Sequence, residues 1–441
     1  MNARALSLPV ALLMLGSAAC GGVERDAVRI GLLADCEGFG APFYDVTLAG
    51  AELPLIRRGG SLKGPVPADG VEGVSIGGHP VELSFGCAGD AIGNMIETRR
   101  LVELEGVDVL IGPNTIPNTL AVAQYARRHP DTAFLIATME HTTGMDLGRN
   151  VFRFTADSVQ TAAGLGSYAF DELGWRRAKT VAIPDVWEWG SHAGFVAEFC
   201  SLGGNVVDRY WLDVLAEDVP EKLAEVPLDG PDGFFLAMDT SIGTFLQGYA
   251  ERHPRLAEHV VAGAFGSAPV LLDPTVVEKL GGLLIGVVTA SFVPLDASRP
   301  GWNAYVAEYE TEFPELAETA ASAYHLFDID YVNSMEAVMQ AMESVDGDLS
   351  DSDRFLEALS EVQLDAPNGP IELDYRLQAI VPIYLSRVEE DEQGNLFFRT
   401  FKTIDEVDQT YGGTVRKVSP IPDRTQPPCR QGNSPSWVSA S

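Results

Sequence analysis

From Val28 onward the chain alternates short apolar runs of strand length with longer stretches of helical periodicity, and this alternation constrains the fold more than any other feature. The first runs are Val28 to Ala34, broken only by Arg29, then Val81 to Phe85, Val107 to Ile111 and Ala133 to Ile136. Unbroken apolarity over so few residues marks strands buried on both faces, the condition of a parallel sheet covered by helices. The clearest intervening helix runs from Ala91 to Leu104, with Asp90 placed to cap its first amides and Ile92, Met95, Ile96 and Val102 on one face. Strand, helix and strand in that order imply right-handed crossovers and an α/β fold.

After Val151 to Phe154 the pattern begins again. It runs through a helix from Gln160 to Leu173, a strand at Thr180 to Ile183, a helix from His192 to Leu202 and a strand near Val206. Gly233 to Ala237, Ile242 to Arg252 and Val260 to Phe265 continue it as strand, helix and strand. Beyond Leu283 to Val288 come helical stretches at Trp302 to Phe313 and Ala321 to Met342, then a hairpin of Ile383 to Val388 with Leu396 to Phe401. At 441 residues the chain exceeds what one core of about 150 residues holds, so two successive sheets in two bodies are expected. The Pro-rich stretch 412–441 lacks apolar periodicity and reads as a poorly ordered tail.

Thirty Lys and Arg against 63 Asp and Glu give a net charge of −33, which repels phosphate backbones and anionic head groups, so no nucleic-acid partner is expected. Residues 1–20 carry Arg4, an apolar stretch from Leu6 to Leu15 and small residues before Cys20, the pattern of an export signal too short to span a bilayer. Gly16 to Gly22 resembles a bacterial lipobox in which Cys20 is acylated and anchors the chain to the cell membrane. Ser17 stands where Leu is usual, which keeps open a secreted or periplasmic form cleaved near Ala19. Cys36, Cys87, Cys200 and Cys429 then permit three pairings in an oxidising compartment. Cys36 and Cys87 each follow a strand by one or two residues, so adjacent parallel strands bring them together. Cys200 with Cys429 follows only by elimination, against the alternative of two free thiols.

Enzyme signatures are scarce. HExxH, GxxxxGK[ST] and CxxC are all missing from the sequence, and Gly164-Leu165-Gly166-Ser167-Tyr168-Ala169 fits GxGxxA but falls inside an expected helix, where close packing explains it. His79, His129, His141, His192, His253, His259 and His325 lack metal-ligand spacing, and no metal or other cofactor is expected. Ser191 and His192 are neighbours without an evident orienting carboxylate.

The segments VRIGLLA, AGAELPL, GHPVELSFGCAGD, ETRRLVELEGVDVLIGPN and DELGWRRAKTVAIPD together resemble the type I periplasmic solute-binding proteins of branched-chain amino acid ABC transporters, over about Val28 to Ile404. The resemblance implies a two-lobed fold, each lobe a parallel-sheet α/β/α sandwich, with three hinge crossovers. One lobe would comprise 26–150 with 290–350, the other 151–289 with 365–411. It implies a monomeric carrier without enzymatic activity that closes on a small polar molecule and delivers it to permease subunits. The cleft loops lie at the carboxyl ends of the strands, where such sheets bind ligands.

In the family a small hydroxyl residue after the third strand holds the ligand carboxylate, a place that Thr115 takes here beside Asn114. The next loop departs from the family pattern: Glu140 stands either as a partner for an ammonium group or as a solvated acid, followed by His141, read as a surface residue, and Thr142. Trp189 takes the place of an aromatic that covers the ligand. Asp239, Thr240 and Phe265 complete the second lobe's rim, and Phe39 lies in the first loop. Phe265 replaces an acid found in many amino-acid binders, which weakens the case for an α-amino acid. A ligand-sensing receptor subunit of the same fold remains an alternative reading. An extracytoplasmic hydrolase, with only Ser191, His192, Glu140 and His141 as candidates, is another.

Overall fold

A computed structural model describes residues 27–114, 119–143, 145–212, 219–238, 241–263, 270–415 and 425–438. Cys20 lies outside these residues. Two large sheets follow one another along the chain, as the alternation of runs requires. In the first, Val28–Asp35 sits between His79–Ala88 and Val109–Ile111, followed by Ala133–Leu135 and Val151–Phe152, all parallel. The short strand Ser75–Ile76 closes the far edge in antiparallel sense. In the second, Arg177–Ala182 sits between Asn205–Trp211 and Gly233–Ala237, followed by Val260–Ala262 and Val288–Ser291, again parallel.

Both sheets therefore reverse their strand order at the same place, beside the strand entered first. Loops leaving the carboxyl ends there run in opposite directions and leave a crevice. The second sheet is mixed rather than purely parallel. Its last parallel strand pairs with Ala379–Glu390, which forms the expected hairpin with Leu396–Val407 and also carries Gly369–Leu373.

The chain passes between the bodies after Phe152, after Ser291 and again before Leu364. After the second passage it returns as helices Pro300–Glu312 and Ile329–Ser344, which lie against Tyr44–Ile56 of the first body. Arg57 grips Glu308 through two nitrogens, and Arg58 joins Glu336 and Glu343, so the returning helices are pinned by charge as well as by apolar contact. The helix Ala91–Arg99 is capped by Asp90, whose Oδ1 accepts from the Gly93 amide at 2.7 Å. Its inner face differs from the apolar set read in sequence: Ile92 and Ile96 are 73% and 59% exposed, while Asn94 and Thr98 are buried. Close approach to the sheet favours the smaller pair, and Thr98 satisfies its hydroxyl by donating to the Asn94 carbonyl at 2.7 Å.

The GxGxxA stretch is a packing device. A Cβ on Gly166 would lie 2.6 Å from the Phe199 amide nitrogen and 2.8 Å from Glu198 Cβ, on the helix Val186–Ser201. Since backbone cannot give way as a flexible side chain can, Gly166→Ala is expected to destabilise by about 1–3 kcal/mol in urea unfolding. An unchanged midpoint would mean that the two helices separate freely.

Cys36 and Cys87 form a disulfide with Cα atoms 5.4 Å apart, set by the pairing of Ala34 with Cys87 across the first two strands. Cys200 and Cys429 form a second, with Cα atoms 5.2 Å apart. The expectation of a poorly ordered tail is thereby corrected for residues 425–438, which lie on the second body. Trp437 donates its indole N–H to Glu198 at 3.2 Å, and Arg209 donates to the Pro427 carbonyl at 2.6 Å.

Candidate functional site: the seam between the two bodies

The switch point of the first sheet presents Asn114, three residues beyond Ile111. Its Oδ1 accepts from the Asp35 amide at 3.3 Å and its Nδ2 donates to Thr47 Oγ1 at 3.2 Å, so one side chain ties both central strands to the helix Tyr44–Ile56. The switch point of the second sheet presents Trp187. Asp185 fixes it there by accepting from the Trp187 and Glu188 amides at 2.9 and 2.8 Å, starting the helix Val186–Ser201 six residues earlier than the sequence reading placed it.

These two side chains meet. Asn114, Ala137 and Met139 from the first body and Trp187 from the second line one recess, floored by Leu326, Phe327 and Asp330 from the returning segment. Its volume is about 10 Å³, the room for one water. The rings of His141 and Trp189 meet at a tilt of 57° with centroids 6.2 Å apart. His141 is buried, not on the surface as expected from sequence.

A buried polar cluster, which shares Asp330 with the recess, lies at the first passage between the bodies. Arg153 follows the last strand of the first sheet, its amide donates to the Leu377 carbonyl, and it pairs with Gln378 ahead of Ala379–Glu390. Its side chain is fully buried, which lowers its pKa, while the neighbouring carboxyls of Asp157, Glu140 and Asp330 act in the opposite direction. Asp157 spends its oxygens on the Val159 and Gln160 amides at 3.0 and 3.2 Å and on Thr143 Oγ1 at 3.2 Å. Burial nevertheless raises its pKa, against the lowering influence of Arg153 and His141. Asp330 accepts from the Thr155 hydroxyl, and burial pushes its carboxyl up to about 8, so it is mostly protonated at neutral pH.

The residues singled out in sequence divide three ways. Asn114 and Trp189 are at the seam. Glu140 is half-buried, and its Oε2 accepts the Thr119 amide at 2.8 Å, at the start of the helix Thr119–Ala126. Thr142 is buried between Asp157, Gln378 and Gln409, inside the hinge rather than on the recess wall. Phe39 lies in the turn Gly38–Phe43 after the first strand. Thr115, Asp239, Thr240 and Phe265 lie outside the described residues.

Sequence reasoning missed Arg153, Asp330 and Trp187. Arg153 had a signal, as a cation inside the apolar run Val151 to Phe154, and so had Asp330, an acid between Ile329 and Tyr331. Ser191 and His192, two of the hydrolase candidates, do not converge. Successive residues on a helix point apart, and His192 turns onto the Trp211 ring at 4.7 Å, where burial and then Arg209 hold its pKa well below the usual imidazole value.

A family model described as periplasmic binding protein matches residues 27–394. The chain belongs to that family. A search of curated protein sequences returns no match, whereas solved structures of periplasmic binding proteins superpose over most of the chain. An ABC transporter substrate-binding protein from Sphaerobacter thermophilus is similar at 20% identity and a TM-score of 0.69, covering 87% of this chain and 99% of its own. A solute-binding protein from Rhodopseudomonas palustris HaA2 in complex with p-hydroxybenzoic acid gives 16% identity and a TM-score of 0.70, covering 87% and 98%. A leucine-binding protein from Thermotoga maritima gives 18% and 0.64, covering 86% and 99%. As in other periplasmic binding proteins, two α/β bodies share a seam. Among the described residues no helix is long and apolar enough to cross a membrane, and no cluster of His, Cys, Asp and Glu is arranged to hold a metal ion.

Proposed function

We propose that the chain is the exported solute-binding component of an ABC importer, anchored by lipid at Cys20. It closes two lobes on a small polar solute such as an amino acid, an amide or a related compound, and presents the closed form to the permease. The observation that carries this reading is the recess shared by Asn114 and Trp187, which brings the switch points of both sheets onto one site. The lobes would be 26–150 with 290–350, and 151–289 with 365–411, the latter extended by 425–438. Phe39, together with Thr115, Asp239, Thr240 and Phe265 outside the described residues, would complete the proposed ligand shell with Asn114 and Trp189. Glu140 and Thr142 would support that shell from behind.

The work is conformational. A solute that touches both bodies favours the closed form by its differential affinity, and the three passages absorb the rotation. The test is thermal unfolding of purified protein against a panel of amino acids, amides and aromatic acids, with tryptophan emission recorded in parallel. A ligand at one hundred times its Kd adds about 2.7 kcal/mol to stability. A true ligand is expected to raise the midpoint and to change the emission of Trp187 and Trp189. If no compound does either, but ester or amide substrates turn over, the transport reading is overturned.

A further inference from the structure

Resting on the cleft reading above, we infer that the solute is a small organic acid, its carboxylate seated on Arg153 at the floor of the seam rather than on the Thr115 loop alone. Among the described residues the three guanidinium nitrogens of Arg153 have no hydrogen-bond partner, although the side chain is fully buried. A guanidinium carries five N–H donors in a planar fork, and burying them without acceptors is costly. The obvious internal acceptors are committed elsewhere. Asp157 serves the amides of its own turn, Glu140 serves Thr119 and Asp330 serves Thr155. Asp157 and Glu140 act against the lowering of its pKa by burial, but supply no hydrogen bonds to the guanidinium.

A second donor points the same way. The indole N–H of Trp189, across the seam beside His141, also has no acceptor among the described residues. Asp330, which lines the recess, holds a proton at neutral pH and so adds a donor rather than a charge. Asp330 lines the recess, Arg153 interacts with Asp330, and Trp189 packs on His141 at the seam; the unpartnered donors of Arg153 and Trp189 ask for a group that only accepts. A planar carboxylate fits the guanidinium fork through two parallel bonds, whereas a carboxamide places a donor against one of them. The net charge of −33 makes the requirement sharper, because an anion entering so negative a protein needs a buried cation to offset the repulsion.

The test compares acid and amide on the unmodified protein by titration calorimetry, with benzoate against benzamide, 4-hydroxybenzoate against 4-hydroxybenzamide, and leucine against leucinamide. At least one acid is expected to bind, its amide at least about 100-fold more weakly, as charge-assisted pairing at a desolvated site implies. Arg153→Lys, which keeps the charge and loses the fork, should weaken the same acid by at least about tenfold, with an unchanged circular dichroism spectrum. Thr115→Ala should have the smaller effect. If an amide or a neutral solute binds as well as the acid, or if Arg153→Lys binds the acid as the parent does, the assignment to Arg153 falls and the cleft reading stands. If nothing in the panel binds, the assignment to Arg153 falls, and the cleft reading is decided by the wider thermal panel and the turnover assay. The acid-to-amide ratio needs no variant, so a misfolded Arg153→Lys protein leaves the inference exposed to refutation.

Discussion

At pH 9 the Glu52→Gln protein is expected to unfold several degrees above the parent, whereas at pH 5 the two should unfold within about a degree of each other. Glu52 is fully buried on the helix Tyr44–Ile56, and neither carboxyl oxygen has a hydrogen-bond partner among the described residues. Burial, and then the charge of Asp69, push its pKa from 4.5 up to about 8, with Lys63 acting weakly against them. Between those two values the folded chain keeps a proton that the unfolded chain has released, so stability falls as pH rises through that interval. The displacement corresponds to on the order of 5 kcal/mol in full. Gln copies the protonated shape and cannot ionise. Asp330 moves in the same direction, to about 8, and adds to the alkaline loss of the parent. Parallel stability curves for parent and variant across this range would show that water reaches Glu52.

Cutting the second disulfide should have an effect of similar size by a different route. In Cys429→Ser, residues 425–438 lose their covalent tie to Cys200, a link 229 residues apart in sequence, and stability is expected to fall by on the order of 2–5 kcal/mol. The loss also reaches inward. Glu198 is fully buried, accepts from the Gly164 and Ser167 amides at 2.9 and 3.1 Å, and receives its third donor from Trp437. Limited proteolysis read by mass spectrometry should remove the tail from the variant and spare it in the parent. Equal protection in both would mean that Trp437 and Arg209 hold the segment without the bridge.

Much of the architecture could be read from residue order, because a strand buried on both faces leaves an unbroken apolar run whatever its neighbours. The Cys36–Cys87 bridge was legible for the same reason, since Cys36 just past one strand and Cys87 at the end of another come together when the crossover rule makes those strands neighbours. Faces were harder. On Ala91–Arg99 the isoleucines look inward by hydropathy, yet closeness to the sheet selects Asn94 and Thr98. The docked tail was illegible because its hold depends on Cys429, Trp437 and Arg209 meeting partners more than two hundred residues away. Of the seam, Asn114 was named from its loop after the third strand and Trp189 from the family resemblance. Arg153 and Asp330 were not, since each takes its meaning only when the third segment of the chain returns to the seam.

Both bridges close within a single body, Cys36–Cys87 in the first and Cys200–Cys429 in the second. Among the described residues, main chain alone connects the halves covalently. Oxidation therefore hardens each half against unravelling without fastening one to the other. The redox chemistry of the surroundings and the freedom to gape or shut are separate variables in this molecule, and a reductant would shorten its lifetime before it altered its grip.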